Sequence, residues 1–218
     1  DVFVCGEDFS AQLFFPKEGG QRVAFHSVVC REPEPFDLAL AGTCQAENAA
    51  LVIMAAKLLE REDARATDKA IRTALRTVRH PARFEILTRE NLPVVIDGAH
   101  NPAGMCALRA GLDAYFPDLP RVFLLGILKD KDIDAMLTAL LRPGDTVVTV
   151  RPNSARAAAA DVVAAAAAGL GADTCACADP QAALAEAEHR AQRSQALLVA
   201  AGSLYLVGGI RALLLAGR

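Results

Sequence analysis

No excess of basic charge marks this chain: 23 Lys and Arg stand against 26 Asp and Glu, a net charge of −3. That leaves no basic field for nucleic acid or an anionic membrane surface. The six cysteines, at positions 5, 30, 44, 106, 175 and 177, include no Cys-x-x-Cys pair and no partners at zinc spacing. No dedicated metal ligands are therefore expected. No signal peptide opens the sequence, so reduced thiols in a cytoplasm, packed as small core residues, are the simpler reading. The most apolar stretch, 196–215, is interrupted by Gly202, Ser203, Gly208, Gly209 and Arg211, too broken for a membrane span. Three nucleotide or nucleophile signatures are missing as well. No Gly-x-Gly-x-x-Gly follows a strand, which sets an oxidoreductase reading aside, and there is no Gly-x-x-x-x-Gly-Lys-Ser/Thr loop or Gly-x-Ser-x-Gly elbow.

What is present is ample core material, 53% hydrophobic residues with 22% charged, and no composition of a disordered chain. Residues 1–40 are β-like, with strands expected at Val2–Cys5, Gln12–Phe15 and Val23–Val29 and a hairpin tip at Lys17–Gly20. A helix opens within 42–50 and continues to Leu59, and another spans Asp68–Thr77 with Thr67 as cap. Arg79-His80-Pro81 marks a boundary, since Pro81 disfavours helix at His80. From Arg83 onward strands and helices alternate. Strands are expected at Phe84–Leu87, Val94–Ile96, Val122–Leu125, Thr146–Val150, Thr174–Ala176 and Leu197–Ala200, with helices at 102–115, 132–141, 155–168, 180–193 and 204–215. Ser154 and Asp179-Pro180 read as helix starts, and Asp130 and Asp132 as solvent-facing caps. The pattern predicts an α/β fold with a mainly parallel, doubly wound sheet and helices on both faces.

The chemistry concentrates at Asp97-Gly98-Ala99-His100-Asn101-Pro102, directly after the apolar strand Val94–Ile96. Asn101 as N-cap and Pro102 at the first helical position start a helix carrying Met105, Leu108, Leu112 and Tyr115 at helical spacing. An acid and a histidine thus fall where a strand hands over to a helix N-terminus, the place where open α/β sheets bind ligands and where anions are attracted.

Together with Gly42-x-x-Gln45-x-x-Asn48-Ala49, Arg83-Phe84-Glu85, Gly126-x-x-x-Asp130-Lys131-Asp132 and Gly202-Ser203-Leu204-Tyr205-Leu206-Val207, this hexapeptide resembles folylpolyglutamate synthase/dihydrofolate synthase of the Mur ligase superfamily. The resemblance covers essentially the whole chain but only the back half of such an enzyme. It implies the C-terminal part of a central ATP-binding domain over 1–79 and a Rossmann-like C-terminal ligase domain over 82–218. The implied reaction is amide formation driven by ATP: a folate or dihydropteroate carboxylate is phosphorylated, L-glutamate attacks the acyl phosphate, and phosphate leaves.

By motif, Asn48 implies contact with the adenine side, Arg83 with the ATP phosphates and Asp97 with the ribose. His100 is implied as the catalytic group near the γ-phosphate, Ser203 at a strand-to-helix turn is the candidate for the incoming glutamate, and Lys131 on a cleft loop is a further substrate candidate. Each residue also has a plain structural reading: a helix cap for Asn48 and Ser203, a surface ion pair for Arg83, a turn residue for Asp97 and a satisfied polar group for His100. The resemblance implies Mg²⁺ as well, with its ligands, the phosphate loop and a modified lysine all in a preceding N-terminal half. Cys44 departs from the family pattern, which has His before the Gln. Without an initiator Met the 218 residues read as a fragment that by itself lacks ligase activity, from a cytoplasmic, monomeric enzyme. The alternatives are a peptidoglycan-precursor ligase of the same superfamily and a non-catalytic nucleotide-binding or docking module.

Overall fold

The computed structural model describes residues 2–17, 20–30, 32–60 and 65–216. The chain forms two compact units, Asp1–Pro81 and Ala82–Arg218.

In the first unit, β1 (Phe9–Lys17), β2 (Gly20–Ser27) and β3 (Glu34–Leu38) make an antiparallel sheet in that order. The β1–β2 hairpin is present with Lys17 opposite Gly20, and its tip residues 18 and 19 lie outside the described residues. Helices α1 (Thr43–Leu59) and α2 (Asp68–Thr77) complete a core in which Val23, Phe25, Phe36, Ile53 and Met54 are buried together. Thr67 caps α2 as expected, its hydroxyl accepting the N–H of Ala70.

Two expectations fail here. Val2–Cys5 is not a strand: the Asp8 carboxylate accepts the N–H of Val4, the Val4 carbonyl accepts from Glu7 and Asp8, and the chain turns through Gly6. Conversely, β3 was not foreseen. Its Pro35 lacks an N–H, which an edge strand tolerates.

The second unit is the expected α/β sheet, with strand order β4-β5-β9-β6-β7-β8. Its strands are β4 (Glu85–Arg89), β5 (Leu92–Ile96), β6 (Arg121–Leu125), β7 (Thr146–Val150), β8 (Asp173–Cys177) and β9 (Leu197–Ala201). Only β4, at one edge, runs antiparallel. The helices are α3 (Pro102–Tyr115), α4 (Ile133–Leu140), α5 (Ala160–Gly169), α6 (Pro180–Ser194) and α7 (Leu204–Ala216). Helices α6 and α7 cover one face, where Val94, Ile96, Val122, Leu124, Leu198 and Ala200 pack with Ala187, Leu206 and Ile210. Their alternate neighbours Val95, Phe123, Leu125 and Val199 are equally buried on the face of α3, α4 and α5. Being buried on both sides, these strands read as continuous apolar runs.

Asp179 and Asp132 cap α6 and α4 as expected. Helix α5 starts later than foreseen, because Ser154 uses its hydroxyl in a local turn to the N–H of Arg156 while Leu128 and Ala157 form a bridge. Asp130 caps no helix and instead pairs with Arg156 at 3.3 Å. Nor are the cysteines core residues: Cys5 and Cys106 are exposed and the other four only half-buried, Cys175 and Cys177 because β8 is the far edge strand.

Candidate functional site

Strand β9 enters the sheet between β5 and β6, so the three carboxyl ends lie side by side and backbone hydrogen bonds join the loops that leave them. The N–H of Asp97 reaches the carbonyl of Ala200 at 3.0 Å, Gly202 reaches Ala99 at 3.0 Å and Gly126 reaches Ala201 at 3.3 Å. Gly202, at φ 113°, is required here, since a Cβ would stand 2.8 Å from the carbonyl oxygen of Gly126. The site is thus a single floor assembled from three loops.

Asp97 stands at the end of β5 and turns both carboxylate oxygens toward backbone amides. Oδ2 accepts the N–H of Phe84 and Oδ1 that of Ala99, each at 2.7 Å. Burial pushes its carboxyl above the ordinary range, and the two N–H groups and the charges of Arg83 and His100 oppose that shift. The sequence pointed to a ligand contact; the geometry adds a scaffold role.

The scaffold holds residues 82–84. Ala82 and Phe84 both adopt left-handed backbone, φ 56° and 45°. For residues with a side chain this costs on the order of 1–3 kcal/mol each, and it persists only where surroundings enforce it. Here Gly98 donates to the carbonyl of Ala82 at 2.8 Å and Glu85 accepts the N–H of Ala82 at 2.9 Å. The Phe84 ring is buried against Tyr115, 5.2 Å between centroids, over Gly111, where a Cβ would lie 2.6 Å from the ring.

Arg83, between the two strained residues, is the one this framework presents. Its guanidinium lies over Gly98, 2.9 Å from where a Cβ would stand, with Leu204 beside the same spot. No hydrogen bond or ion pair to another described residue engages it. A planar cation held at strand ends without a partner among the described residues suits an oxyanion.

His100 places Nδ1 2.8 Å from the carbonyl oxygen of Gly98. A carbonyl only accepts, so Nδ1 carries a proton and Nε2 is left clear of this contact. Asn101 then caps α3 as expected, accepting the N–H of Gly104 at 2.7 Å, with Pro102 at the first helical position.

Arg83, Asp97 and His100 are thus brought together, with the start of α7 alongside. Ser203 is 1% exposed, and its hydroxyl accepts the N–H of Leu206 at 3.2 Å, the geometry of the capping reading. Lys131 lies on the loop after β6, half-buried, its backbone N–H on the carbonyl of Leu128. Asn48 belongs to the first unit. It is not at a helix start but one turn inside α1, exposed, donating to Gln45 at 3.2 Å, so it is no cap.

Among the described residues no group of three or more His, Cys, Asp and Glu could hold a metal ion. Mg²⁺ prefers several oxygen ligands, and Asp97 has both carboxylate oxygens on amides beside a guanidinium and an imidazole, so Arg83, Asp97 and His100 do not fit a magnesium site. Sequence reasoning quoted Glu85 within a motif without giving it a role and gave none to Arg211. Their pairing across 126 positions carries no local signal.

Three comparisons bear on this geometry. Residues 82–204 match the family described as Mur ligase, glutamate ligase domain. Folylpolyglutamate synthase of Lacticaseibacillus casei is 33% identical over 213 residues, 97% of this chain and 47% of that protein. A probable bifunctional folylpolyglutamate synthase/dihydropteroate synthase of Halobacterium salinarum is 38% identical over 176 residues, 80% of this chain and 21% of that one. Among solved structures, Mycobacterium tuberculosis folylpolyglutamate synthase complexed with ADP and AMPPCP superposes with a TM-score of 0.81 at 27% identity, covering 100% of this chain and 50% of its own. The chain therefore spans from about a fifth to a half of the length of these relatives.

Proposed function

Because the chain belongs to the Mur ligase family through its glutamate ligase domain, we propose that it is the C-terminal part of an ATP-dependent ligase that joins L-glutamate to the carboxyl group of a folate or dihydropteroate. The observation that carries this reading is Arg83: a guanidinium without a protein partner among the described residues, held between two strained residues at the carboxyl ends of the strands. The relatives support the substrate class, since those compared are folylpolyglutamate synthases and one was solved with ADP and AMPPCP. In this reading residues 82–218 are the Rossmann-like ligase domain and 1–79 the end of a central ATP-binding domain. The remainder of the relatives' length supplies the phosphate loop and the Mg²⁺ ligands. We place the enzyme in the cytoplasm as a monomer; no helix among the described residues is long and apolar enough to cross a membrane.

The chemistry asks little covalent work of these residues. Phosphoryl transfer is catalysed by position and charge neutralisation. Arg83 neutralises the phosphate oxygens of ATP, and the positive dipole end of α3 supports the same charge. As the carboxylate of the folate substrate takes the γ-phosphoryl group, ADP leaves. The glutamate amine then attacks the acyl carbon and releases phosphate. His100, with Nδ1 held by the Gly98 carbonyl, turns Nε2 toward the acyl phosphate, to which its imidazolium form donates a hydrogen bond. Asp97 fixes the Arg83 loop and offers its remaining lone pairs to the ribose. Asn48 reads as an adenine-side contact, exposed as it is. Lys131 and the backbone N–H groups at the start of α7 read as the glutamate side, with Ser203 shaping that turn.

The test is amide formation by the complete gene product that contains residues 1–218, offered ATP, Mg²⁺ and glutamate with either folate or dihydropteroate. ADP release coupled to a glutamylated pterin is the expected result. Ligation only of a UDP-linked muramyl substrate overturns the folate reading, and nucleotide binding without any ligation favours a docking module.

A further inference from the structure

Nothing among the described residues grips the Arg83 guanidinium, so its aim depends on the backbone at 82–84. Phe84 is secured by Asp97 and by its own buried ring. Ala82 is secured by a different device. The Glu85 carboxylate accepts its N–H through Oε2 and at the same time takes the fork of Arg211 from α7. Arg211 Nε lies 2.8 Å from Oε2 and 3.1 Å from Oε1, and its terminal nitrogen 2.9 Å from Oε1. The Ala82 carbonyl is occupied by Gly98, so the peptide groups on both sides of this residue are held. Helix α7 begins at Leu204, which lies against Gly98 beneath the Arg83 guanidinium. Hence α7 approaches the arginine twice, through Leu204, which shares the space over Gly98 with it, and two turns later through Arg211 and Glu85.

A fork pair at 33% and 19% exposure would on its own be a modest surface interaction. The bond to the Ala82 N–H adds a task, since a left-handed residue without glycine returns to ordinary backbone once its partner goes. We propose that Glu85 and Arg211 are positioning residues for Arg83, setting the angle at which its guanidinium meets the nucleotide phosphates. Neither residue touches the phosphate. The inference rests on the reading of Arg83 given under the proposed function.

A mutant cycle in the complete gene product tests it. Glu85→Ala is expected to lower kcat/KM for ATP by roughly ten- to a hundredfold, the scale of an ångström-level misplacement, with the KM for glutamate unchanged. Glu85→Gln keeps one acceptor for the Ala82 N–H and recovers part of that loss. The double variant Arg83→Ala/Glu85→Ala is expected to be no worse than Arg83→Ala, because Glu85 acts through Arg83. Thermal unfolding of each variant verifies that the folded enzyme is being compared, and Arg211→Lys gives a second probe if Glu85→Ala does not fold. Losses that multiply in the double variant, or wild-type kinetics in Glu85→Ala, overturn the inference while leaving Arg83 in place. Wild-type kinetics in Arg83→Ala overturns the phosphate reading itself and the inference with it.

Discussion

At the amino-terminal ends of β6 and β7, Arg109 and Arg121 are about nine-tenths buried and pair with carboxylates and carbonyls, although the Arg121 Nε has no hydrogen-bond partner among the described residues. Arg109 meets Asp113, Asp145 and the Leu140 carbonyl, and Arg121 meets Asp113 at 2.6 Å. At the carboxyl ends of the same sheet, Arg83 has no such partner among the described residues and sits between two left-handed residues. The base thus uses its arginines to join α3, α4, β6 and β7, and its left-handed residues Glu90, Asn91 and Gln195 stand in the turns before β5 and β9 rather than around a cation. The opposite end accepts strain to hold a cation ready. Charges that close on the protein serve the fold, and a charge held open by surrounding scaffold is poised for a ligand.

The largest expected effect tests that contrast from the open end. Arg83→Ala in the complete gene product should lower kcat/KM for ATP by about three orders of magnitude, the low end of what an arginine contributes to phosphoryl transfer. It removes no hydrogen bond to another described residue, only a charge that favours ionised Asp97, so the melting temperature should fall only slightly. Steady-state kinetics beside calorimetric unfolding checks both halves, and a large fall in stability with kinetics intact would make Arg83 a structural residue like those at the base.

The closed end should give the reverse. Arg109→Ala leaves Asp145, only 11% exposed, with the N–H of Arg142 but without its nearest cation. Breaking a buried pair from one side costs about 3 kcal/mol. Urea unfolding of the 82–218 unit within the complete gene product should show that loss, with kcat and the KM for ATP unchanged well below the transition. A change in nucleotide affinity here would mean that the two ends are coupled through α3.

How much of this was legible depends on range. The strand Val94–Ile96, the Asn101 cap, Pro102 at the helix start and the apolar face of α3 were all readable, because apolar periodicity and capping act within a few residues. The insertion of β9 between β5 and β6 was not, since it depends on pairing between Val94 and Leu198, far apart in the chain. The strain at Ala82 and Phe84 was hidden because neither is the glycine that usually announces left-handed backbone. At Asp97 the reading of a ligand contact missed that two amides already hold the carboxylate. Misread local signals account for the rest. Val2–Cys5 has strand composition but is drawn into a turn by Asp8, and Ser154 has a cap's identity but spends its hydroxyl two residues on.

Gly202→Ala tests the open end's floor at a smaller scale. Its φ of 113° and the 2.8 Å approach of a Cβ to backbone of Gly126 leave no flexible neighbour to yield. A cost of about 2 kcal/mol is expected from strain and displacement together. Because the loops after β9 and β6 meet there, kcat should fall along with stability. Loss of stability alone would separate this floor from the working part of the site.

Ser203→Ala has the smallest expected effect and the sharpest meaning for the comparison. The hydroxyl caps α7 through Leu206 from a buried position, and losing such a cap costs about 1 kcal/mol. If Ser203 only shapes the turn, as the closed-end residues shape the base, the KM for glutamate stays at the parental value while unfolding shifts to lower denaturant. If the hydroxyl turns toward substrate during turnover, the KM for glutamate rises several-fold and Ser203→Thr, which keeps the hydroxyl, restores part of it. Kinetics in glutamate with these two variants therefore decides whether the start of α7 belongs with the scaffold or with Arg83.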